Sequence, residues 1–211
     1  ATALVEAPMA AAIGAGVDVT APSGSMVVDI GAGVTDIGVL STGGIVVSDR
    51  LRIGGTSMDE AIQAHARDAH GLVLGRRSAE KVKIELGAQG WTGQEASAVV
   101  HGRNLADGLP RAETLGAQEV SSALECPVNQ IIESARCVFG CTPPELAADI
   151  AAGGIVLTGG GSRLVGLSGF MSERIGVTFR VALDPETCVV RGIGQLLQGM
   201  DPRVTCAWKG A

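Results

Sequence analysis

The fold is decided by residues 26–40, which read Met26-Val-Val-Asp-Ile-Gly-Ala-Gly-Val-Thr-Asp-Ile-Gly-Val-Leu40. The apolar run 26–30 predicts a short buried strand, and the glycine turn at 31–33 leads into a second strand over 35–40. An aspartate at the end of a buried strand, here Asp29, can hold a hydrated divalent cation. Glycines in such a turn let backbone N–H groups point at phosphate oxygens, because no Cβ is in the way. A plain hairpin of small residues explains the same pattern, so the motif by itself leaves both interpretations open.

A second glycine-rich loop, Leu157-Thr-Gly-Gly-Gly-Ser-Arg163, follows a predicted strand at 154–158 and precedes a predicted helix at 162–175. Its glycines permit the flat approach of a base or an α-phosphate, and a helix N-terminus favours negative charge. Open α/β sheets bind ligands in crevices at the carboxyl ends of their strands. A structural turn accounts for this loop equally well. Neither loop has the G-x-G-x-x-G or the Walker A pattern, which argues against a dinucleotide-binding fold and a P-loop NTPase.

Around the two loops the hydrophobic pattern alternates between strands and amphipathic helices, which is typical of α/β architecture. Residues 75–116 differ, since a short helix precedes glycine-broken strands, and we interpret them as a small inserted α/β lobe. The last dozen residues are weakly patterned and are expected to be frayed. The remaining predictions are helices at 3–15, 56–69, 78–86, 117–125, 127–140, 143–152 and 185–198, and strands at 45–53, 98–101, 111–115 and 177–181.

The composition narrows the class of protein. The 211 residues are 46% hydrophobic but only 2% aromatic, so Ala, Val, Ile and Leu must pack the core. The net charge is −6 and the pI is near 5.1, which argues against a nucleic-acid-binding surface. No apolar stretch approaches the roughly 20 residues that a membrane span requires. The chain opens on Ala1 without a signal peptide, so we expect the numbering to start inside a longer product or after processing.

The cysteines and histidines do not predict a metal or disulfide framework. Five cysteines are irregularly spaced, and only Cys137 and Cys141 form a pair at helical spacing. The three histidines, His65, His70 and His101, do not supply the spacing of a zinc site. We therefore expect buried or unreactive thiols, as in a reducing cytosol.

Taken together and in this order, the two loops resemble the phosphate and adenosine motifs of the actin, Hsp70 and sugar-kinase superfamily. Within it, residues from about 3 to 199 are similar to the MreB family of bacterial actin-like, rod shape-determining proteins. The resemblance implies an actin-like (ribonuclease H-like) α/β fold, with three α/β/α layers and a small inserted α/β lobe. The segments that carry the resemblance are Glu6–Gly14, Gly24–Gly31, Met58–Ile62, Lys83–Gly87, Thr142–Leu146 and Gly154–Gly161.

The resemblance also implies a site for ATP and Mg²⁺ by matched position. Asp29 would hold the magnesium through water, and the short helix with Glu80 and Lys83 would contact the ribose and adenine region. A solvated i,i+3 charge pair is the alternative for Glu80 and Lys83. The implied nucleotide-binding residues are Gly31, Ala32, Gly33 and Thr35 in the first loop, Glu80, Lys81, Val82 and Lys83 on the helix, and Gly159, Gly160, Gly161 and Ser162 beneath the adenosine.

Two departures from the family pattern concern hydrolysis. Family members carry a glutamate immediately before the proline that Pro8 matches, and it helps to position the hydrolytic water; this sequence has Ala7, with Glu6 nearby. The first loop usually reads Gly-Gly-Gly-Thr-Thr, and Val34 replaces a threonine that faces the γ-phosphate. A side chain without a polar group cannot orient a water, and losing one such group often costs about a hundredfold in rate. We expect no intact catalytic residue and slow or absent hydrolysis.

A third departure is length, because nothing here matches the family's N-terminal half with its first phosphate loop. ATP would be held from one side only, so we expect weak binding. The opening and closing helices should leave an apolar patch that favours self-association, formed by Leu4, Met9, Ile13, Val189, Ile193, Leu196 and Leu197. The expected division is 1–24 as a helix of the first actin-like domain, 25–74 and 117–185 as the second domain, 75–116 as the inserted lobe, and 186–211 as a C-terminal helix with a frayed tail.

The leading hypothesis is an ATP-dependent filament subunit that guides cell-wall synthesis and so determines cell shape. Expected partners are further copies, full-length filaments of the family, and cell-wall morphogenesis proteins at the membrane. The chain would be cytoplasmic and reach the inner face of the cell membrane through partners. Membrane-inserting elements of the family belong to the unmatched half, so neither direct membrane binding nor nucleic-acid binding is expected. The alternatives are a chaperone-type or sugar kinase-like ATPase of the same superfamily, and an inactive remnant that caps filaments.

Overall fold

The computed structural model describes residues 2–87, 89–93, 95–199 and 207–209. No helix within these ranges combines the length and apolarity needed to cross a membrane. The strands are β1 (Thr2–Leu4), β2 (Ser25–Ile30), β3 (Thr35–Ser41), β4 (Gly44–Leu51), β5 (Leu72–Val73), β6 (Ser97–Asn104), β7 (Pro110–Gly116), β8 (Ile155–Thr158), β9 (Phe179–Val181) and β10 (Ala207–Lys209). The helices are α1 (Ala7–Gly14), α2 (Gly55–His70), α3 (Arg76–Leu86), α4 (Ala117–Gly140), α5 (Pro144–Gly153), α6 (Leu167–Ile175) and α7 (Cys188–Gln198), with 3₁₀ turns at Gln89–Thr92, Gly160–Arg163 and Pro185–Thr187.

A five-stranded sheet in the order β4-β3-β2-β8-β9 forms the centre of the molecule. Strands β2 and β3 are the antiparallel hairpin predicted from the glycine turn, whereas β2, β8 and β9 run parallel. Successive residues of β2 belong to two cores, Met26, Val28 and Ile30 to one and Val27 to the other. Helices α2 and α4 contribute to the first core and α1 to the second. The predicted three-layer α/β/α fold is therefore confirmed.

The start of the chain differs from the prediction. Helix α1 begins at Ala7 rather than at residue 3, with Pro8 in its first turn, where a missing N–H costs nothing. Residues 2–4 instead form β1, which pairs antiparallel with β10. Three residues of the tail that we expected to be frayed are thus in a strand; residues 200–206 and 210–211 lie outside the described residues.

Helices α1 and α7 cross at two glycines. A Cβ on Gly14 would lie 1.8 Å from the carbonyl oxygen of Cys188, and a Cβ on Gly192 would lie 1.9 Å from that of Ala10. Such distances are far below van der Waals contact, so only glycine permits this approach. The two helices therefore pack backbone to backbone on one face of the sheet.

The apolar patch expected on these helices is only partly present. Met9 is 2% exposed, because it packs in the core between α1 and the sheet, and the prediction is wrong for this residue. Val189 is also packed against that core. Ile193 and Leu197, on the outer side of α7, are 39% and 83% exposed.

Helix α4 is continuous, so the predicted break before Pro127 is wrong. A proline inside a helix removes one hydrogen bond and costs about 3 kcal/mol. Pro127 is itself buried and continues an apolar stripe that includes Leu124, Val128 and Ile131. Burying each large apolar side chain contributes roughly 1.5–3 kcal/mol, which offsets the cost of the proline.

The inserted lobe contains a three-stranded antiparallel sheet, β5-β6-β7, and helix α3. The two residues of β5 are too few to show a periodicity, and for that reason the strand was not predicted. The lobe sheet thus begins at Leu72 rather than after residue 75. The chain enters the lobe beside Gly71 and leaves it beside Gly116.

The described cysteines are mostly at the surface. Cys126, Cys137 and Cys141 are exposed free thiols on or next to α4, and Cys188 is buried. Among the described cysteines, burial is confirmed for Cys188, and lack of reactivity stays a prediction for the three exposed thiols.

Candidate functional site

The two glycine loops meet at one edge of the sheet. Strands β2 and β8 are parallel neighbours, and Asp29 pairs in register with Thr158. The Thr158 hydroxyl donates to Asp29 Oδ1 at 2.8 Å. A Cβ on Gly159 would lie 2.3 Å from the carbonyl oxygen of Ile30 and 2.8 Å from Asp29 Oδ1. The parallel pairing of β2 with β8 thus brings together two loops that are more than 120 residues apart in the sequence.

The carboxylate of Asp29 is held in an unfavourable electrostatic environment. Burial raises its pKa, the hydrogen bond from Thr158 lowers it, and the charge of Asp36 raises it further. Asp36 is opposite Asp29 in the β2–β3 pairing, and burial raises its pKa against the effect of Arg50, 3.3 Å away. A cation beside Asp29 would stabilise the charged carboxylate, and a divalent ion suits such oxygen ligands.

The first loop is a tight turn with free donors. Gly31 N–H donates to the carbonyl of Val34 at 2.9 Å and closes the turn. Ala32 and Gly33 are exposed at its tip, and a Cβ on Gly33 would meet no atom within 4 Å. Among the described residues, none accepts a hydrogen bond from the N–H of Ala32 or Gly33. Successive free backbone N–H groups of this kind form an anion-binding concavity.

The same loop is fixed to the start of α2. The N–H of Gly55 donates to the carbonyl of Gly31 at 3.0 Å, and the N–H of Thr56 donates to that of Ala32 at 2.7 Å. Helix N-termini leave such donors unsatisfied, and here the loop carbonyls accept them. The carbonyls therefore point away from the tip, which leaves the N–H groups there for a ligand.

The second loop has one open glycine between two constrained ones. Gly159 has a φ of 78°, and a Cβ on Gly161 would lie 2.4 Å from the Cγ2 atom of Ile30, whereas one on Gly160 would meet nothing within 4 Å. Ser162 is buried and donates to the carbonyl of Gly159 at 2.7 Å. The side-chain hydroxyl of Ser162 thus supports the loop from inside.

The predicted helix at 162–175 begins later than expected. The loop runs into a single 3₁₀ turn, and α6 starts at Leu167 after Gly166, which has a φ of 85°. This left-handed residue interrupts the helical path. The loop therefore does not lie at the N-terminus of a long helix, and the dipole argument for it does not apply.

The predicted helix residues occupy different environments. Lys83 Nζ lies 2.7 Å from Asp59 Oδ1, which excludes the alternative of a solvated Glu80–Lys83 pair. Val82 is 2% exposed and packs in the core, while Glu80 and Lys81 are exposed. Contact between these residues and a nucleotide stays a prediction, and the Lys83 ammonium already has a charged partner.

The remaining predicted positions line the sheet end. Thr35 is fully buried and donates to the carbonyl of Ile53 at 2.8 Å, so its hydroxyl serves the fold. Val34 is half-buried at the turn. Ala7 borders an open cleft of about 700 Å³ that Asp36 also lines. Neither Ala7 nor Val34 carries a group that could orient a water.

Sequence reasoning missed three polar residues that shape the site. Asp36 could have been found, because a four-residue turn at 31–34 fixes the register that places it opposite Asp29. Thr158 could be placed beside Asp29 only once β8 was known to be the parallel neighbour of β2. No local signal identified Asp59, whose partner Lys83 comes from another helix.

The central mixed sheet, its covering helices and the paired glycine loops define a protein of the actin-like class. The family model described as MreB/Mbl protein matches residues 1–204, and the chain belongs to this family. The resemblance inferred from the motifs is therefore confirmed.

Named relatives align with nearly the whole of this sequence. The cell shape-determining protein MreB of Escherichia coli (strain K12) is 46% identical over 199 residues, which cover 94% of this chain and 57% of that protein. The cell shape-determining protein Mbl of Bacillus subtilis (strain 168) is 41% identical over 198 residues, which cover 94% and 60%. The chain thus spans less than two thirds of the length of these relatives.

Solved structures agree with the fold. MreB 5 of Spiroplasma citri bound to AMPPNP has a TM-score of 0.88 at 30% identity, covering 92% of this chain and 58% of that one. The MamK double helical filament has a TM-score of 0.75 at 26% identity, covering 93% and 60%.

Proposed function

We propose that this chain supplies one side of the ATP site of an actin-type cytoskeletal protein that takes part in determining cell shape. The observation that carries the proposal is the meeting of the two glycine loops at Asp29, on neighbouring parallel strands. The relatives named for cell shape, and MreB 5 of Spiroplasma citri with bound AMPPNP or ADP, support it. Free N–H groups at Ala32 and Gly33 suit the phosphates, and the open face of Gly160 suits the base or ribose.

A magnesium ion fits the same edge of the sheet, where β2 and β8 end. Asp29 is partly buried with a raised pKa and has an open glycine turn beside it, so its carboxylate would hold a hydrated Mg²⁺. The ion would neutralise phosphate charge when bound. Thr158 keeps the Asp29 carboxylate oriented through its hydrogen bond.

Hydrolysis by this site is proposed to be slow. The turn has Val34 where a hydroxyl would face the γ-phosphate, and the first residue of α1 is Ala7. Backbone N–H groups can still bind phosphate without these side chains. Binding and hydrolysis are therefore separable in this protein.

The proposed setting is a filament. Partners would be further copies or full-length relatives, together with cell-wall morphogenesis proteins at the inner face of the membrane, with the chain in the cytoplasm. Head-to-tail filaments need two complementary surfaces, so a chain that presents one of them would cap rather than extend. Co-sedimentation with E. coli MreB tests this proposal: capping lowers the polymer mass at equimolar ratio, and an unchanged mass contradicts it.

Calorimetric titration of the chain with Mg-ATP tests the nucleotide site. We expect weak binding, in the micromolar range or above, which Gly160→Asp abolishes because its charged side chain fills the open face that suits the base or ribose. Gly160→Ala is the matched control, since a Cβ there meets nothing within 4 Å. No binding by the unsubstituted chain, or equal binding by both variants, contradicts the proposal.

A further inference from the structure

Three side chains that can bind metals converge from two helices at the base of the lobe. His65 and His70 lie in the last turns of α2, and Glu119 lies in the first turn of α4. One ligand atom from each of the three lies within 4.8 Å of the others. We propose that His65, His70 and Glu119 form a binding site for a first-row transition metal ion, best matched by Zn²⁺.

The distances between the ligand atoms suit an ion with tetrahedral coordination. Glu119 Oε1 lies 2.9 Å from His70 Nε2 and 3.7 Å from His65 Nε2. Ligands at about 2.0–2.1 Å from a tetrahedral Zn²⁺ are roughly 3.3 Å apart, between these two separations. Two imidazoles and a carboxylate are a known zinc ligand set that leaves the fourth position to water. Mg²⁺ and Ca²⁺ prefer oxygen ligands and fit the two imidazoles poorly.

The ligands are held in place by their neighbours. Glu119 Oε2 accepts the N–H of Gly116 at 2.9 Å, which leaves Oε1 directed at the histidines. Arg111 donates to the backbone carbonyl of His70 at 3.1 Å. The Gly116 contact orients the Glu119 carboxylate as a ligand, and the Arg111 contact fixes the backbone of His70.

One ligand nitrogen is not satisfied by the protein. His65 Nε2 is buried and has no hydrogen-bond partner among the described residues. Buried polar atoms are nearly always paired, and an unpaired one calls for an explanation such as an ion. Coordination by a metal ion would satisfy this nitrogen.

The site lies where the chain enters and leaves the lobe. His70 directly precedes Gly71, and Glu119 follows Gly116 by three residues. A bound metal ion would join α2 to α4 across the two connections. A bound ion would therefore fix the distance between the two connections through which the lobe is attached to the five-stranded sheet.

Calorimetric titration of the nucleotide-free chain with ZnCl₂ is the test. Exposed thiols also bind Zn²⁺, so the titration uses a variant in which the surface cysteines are removed. The substitutions are Cys126→Ser, Cys137→Ser and Cys141→Ser at these surface positions, and Cys206→Ser is added to them. We expect one Zn²⁺ per chain. On the unsubstituted chain, Co²⁺ is the second probe, because thiolate ligands add a strong near-ultraviolet band that a site of two histidines and a glutamate lacks.

Ligand variants distinguish a metal site from a structural hydrogen bond. His65→Gln, His70→Gln and Glu119→Gln should each weaken Zn²⁺ binding by roughly tenfold or more. Glu119→Gln keeps an acceptor for the Gly116 N–H, so the helix cap survives while the anionic ligand is lost. His101→Gln, at an exposed position of β6, is the matched control and should bind as the parent does.

Amide hydrogen exchange reports whether the ion fixes the connection into the lobe. Zn²⁺ should slow exchange at Gly71 and Leu72 in the parent and leave it unchanged in the His65→Gln variant. Failure of the variant with the four Cys→Ser substitutions to bind Zn²⁺ and of the unsubstituted chain to give a thiolate-free Co²⁺ spectrum overturns the proposal. Binding that the three ligand variants leave unaltered also overturns it.

Discussion

Lys83 Nζ lies 2.7 Å from Asp59 Oδ1, with only 13% and 4% of the two side chains exposed. The ion pair joins α3 of the lobe to α2 of the larger domain, beside the loop that carries Gly31. Lys83 also donates to the carbonyl of Gly55 at 2.9 Å, so its ammonium group is bound on two sides. The charge that the family resemblance assigned to the nucleotide is thus engaged inside the protein.

Breaking that pair should destabilise the chain strongly. Asp59→Asn and Lys83→Met each leave one buried charge without its partner, which costs about 3–5 kcal/mol. Urea unfolding measures the free energy of unfolding of each variant. Arg77→Met, at an exposed position of the same helix as Lys83, should change it by less than about 0.5 kcal/mol. Equal small losses in all three variants would show that the pair is solvated.

The crossing of α1 and α7 should be intolerant of side chains at two positions. Gly14→Ala and Gly192→Ala place a Cβ within 2 Å of a backbone carbonyl, and we expect losses of about 1–3 kcal/mol or more. Gly194→Ala, on the same helix with open space around the Cβ, should gain roughly 0.5–1 kcal/mol from helix propensity. Thermal unfolding of the three variants compares them, and destabilisation by Gly194→Ala would contradict the packing argument.

Asp29→Asn should increase stability while it removes magnesium-dependent nucleotide binding. The raised pKa of Asp29 means that the folded chain binds more protons than the unfolded chain, from about the ordinary value of 3.8 up to the raised one. The contribution of Asp29 to stability therefore falls as the pH rises through this window. Asparagine keeps an acceptor for Thr158 and carries no charge.

Melting temperatures near pH 3.8 and at pH 8, without nucleotide or magnesium, measure this effect. The advantage of Asp29→Asn should be larger at pH 8 and amount to about 2–4 °C for each kcal/mol gained. A lower melting temperature for the variant at both values would show that the carboxylate is stabilising without an ion.

Placing polar groups at positions 34 and 7, as in the family pattern, should raise the rate of ATP hydrolysis. Val34→Thr returns a hydroxyl to the turn, and Ala7→Glu returns a carboxylate to the start of α1; each group is worth about a hundredfold in rate. Phosphate release at saturating Mg-ATP measures the change. Val34→Ala is the control, since it alters the side chain without adding a hydroxyl. A rate that rises equally in Val34→Ala would assign the effect to size rather than to water orientation.

Much of the architecture follows from local pattern. The β2–β3 hairpin was predicted because residues 26–40 combine an apolar run, a glycine turn and a second run, and each signal is contained within a few residues. The continuity of α4 was not predicted, since Pro127 is a strong local signal for a break. The packing of Leu124 and Val128, which overrides that signal, depends on distant parts of the chain.

The candidate site was likewise predictable from the local sequence only in part. The backbone feature of Gly159 was predictable, because glycine is the residue that permits its positive φ and its close approach to Ile30. The partners of the polar side chains were not predictable. The Thr35 hydroxyl donates to the carbonyl of Ile53, and Lys83 pairs with Asp59, and only the tertiary structure brings these residues together. The histidine and glutamate cluster was missed because its residues come from two helices.

Gly55 connects the first glycine loop to the lobe through its backbone N–H and carbonyl groups. Its N–H donates to the carbonyl of Gly31, and its carbonyl accepts the ammonium group of Lys83. A displacement of the turn by a ligand would therefore reach α3 through Gly55 and the side chain of Lys83. Gly55 thus places the first glycine loop and the lobe two hydrogen bonds apart.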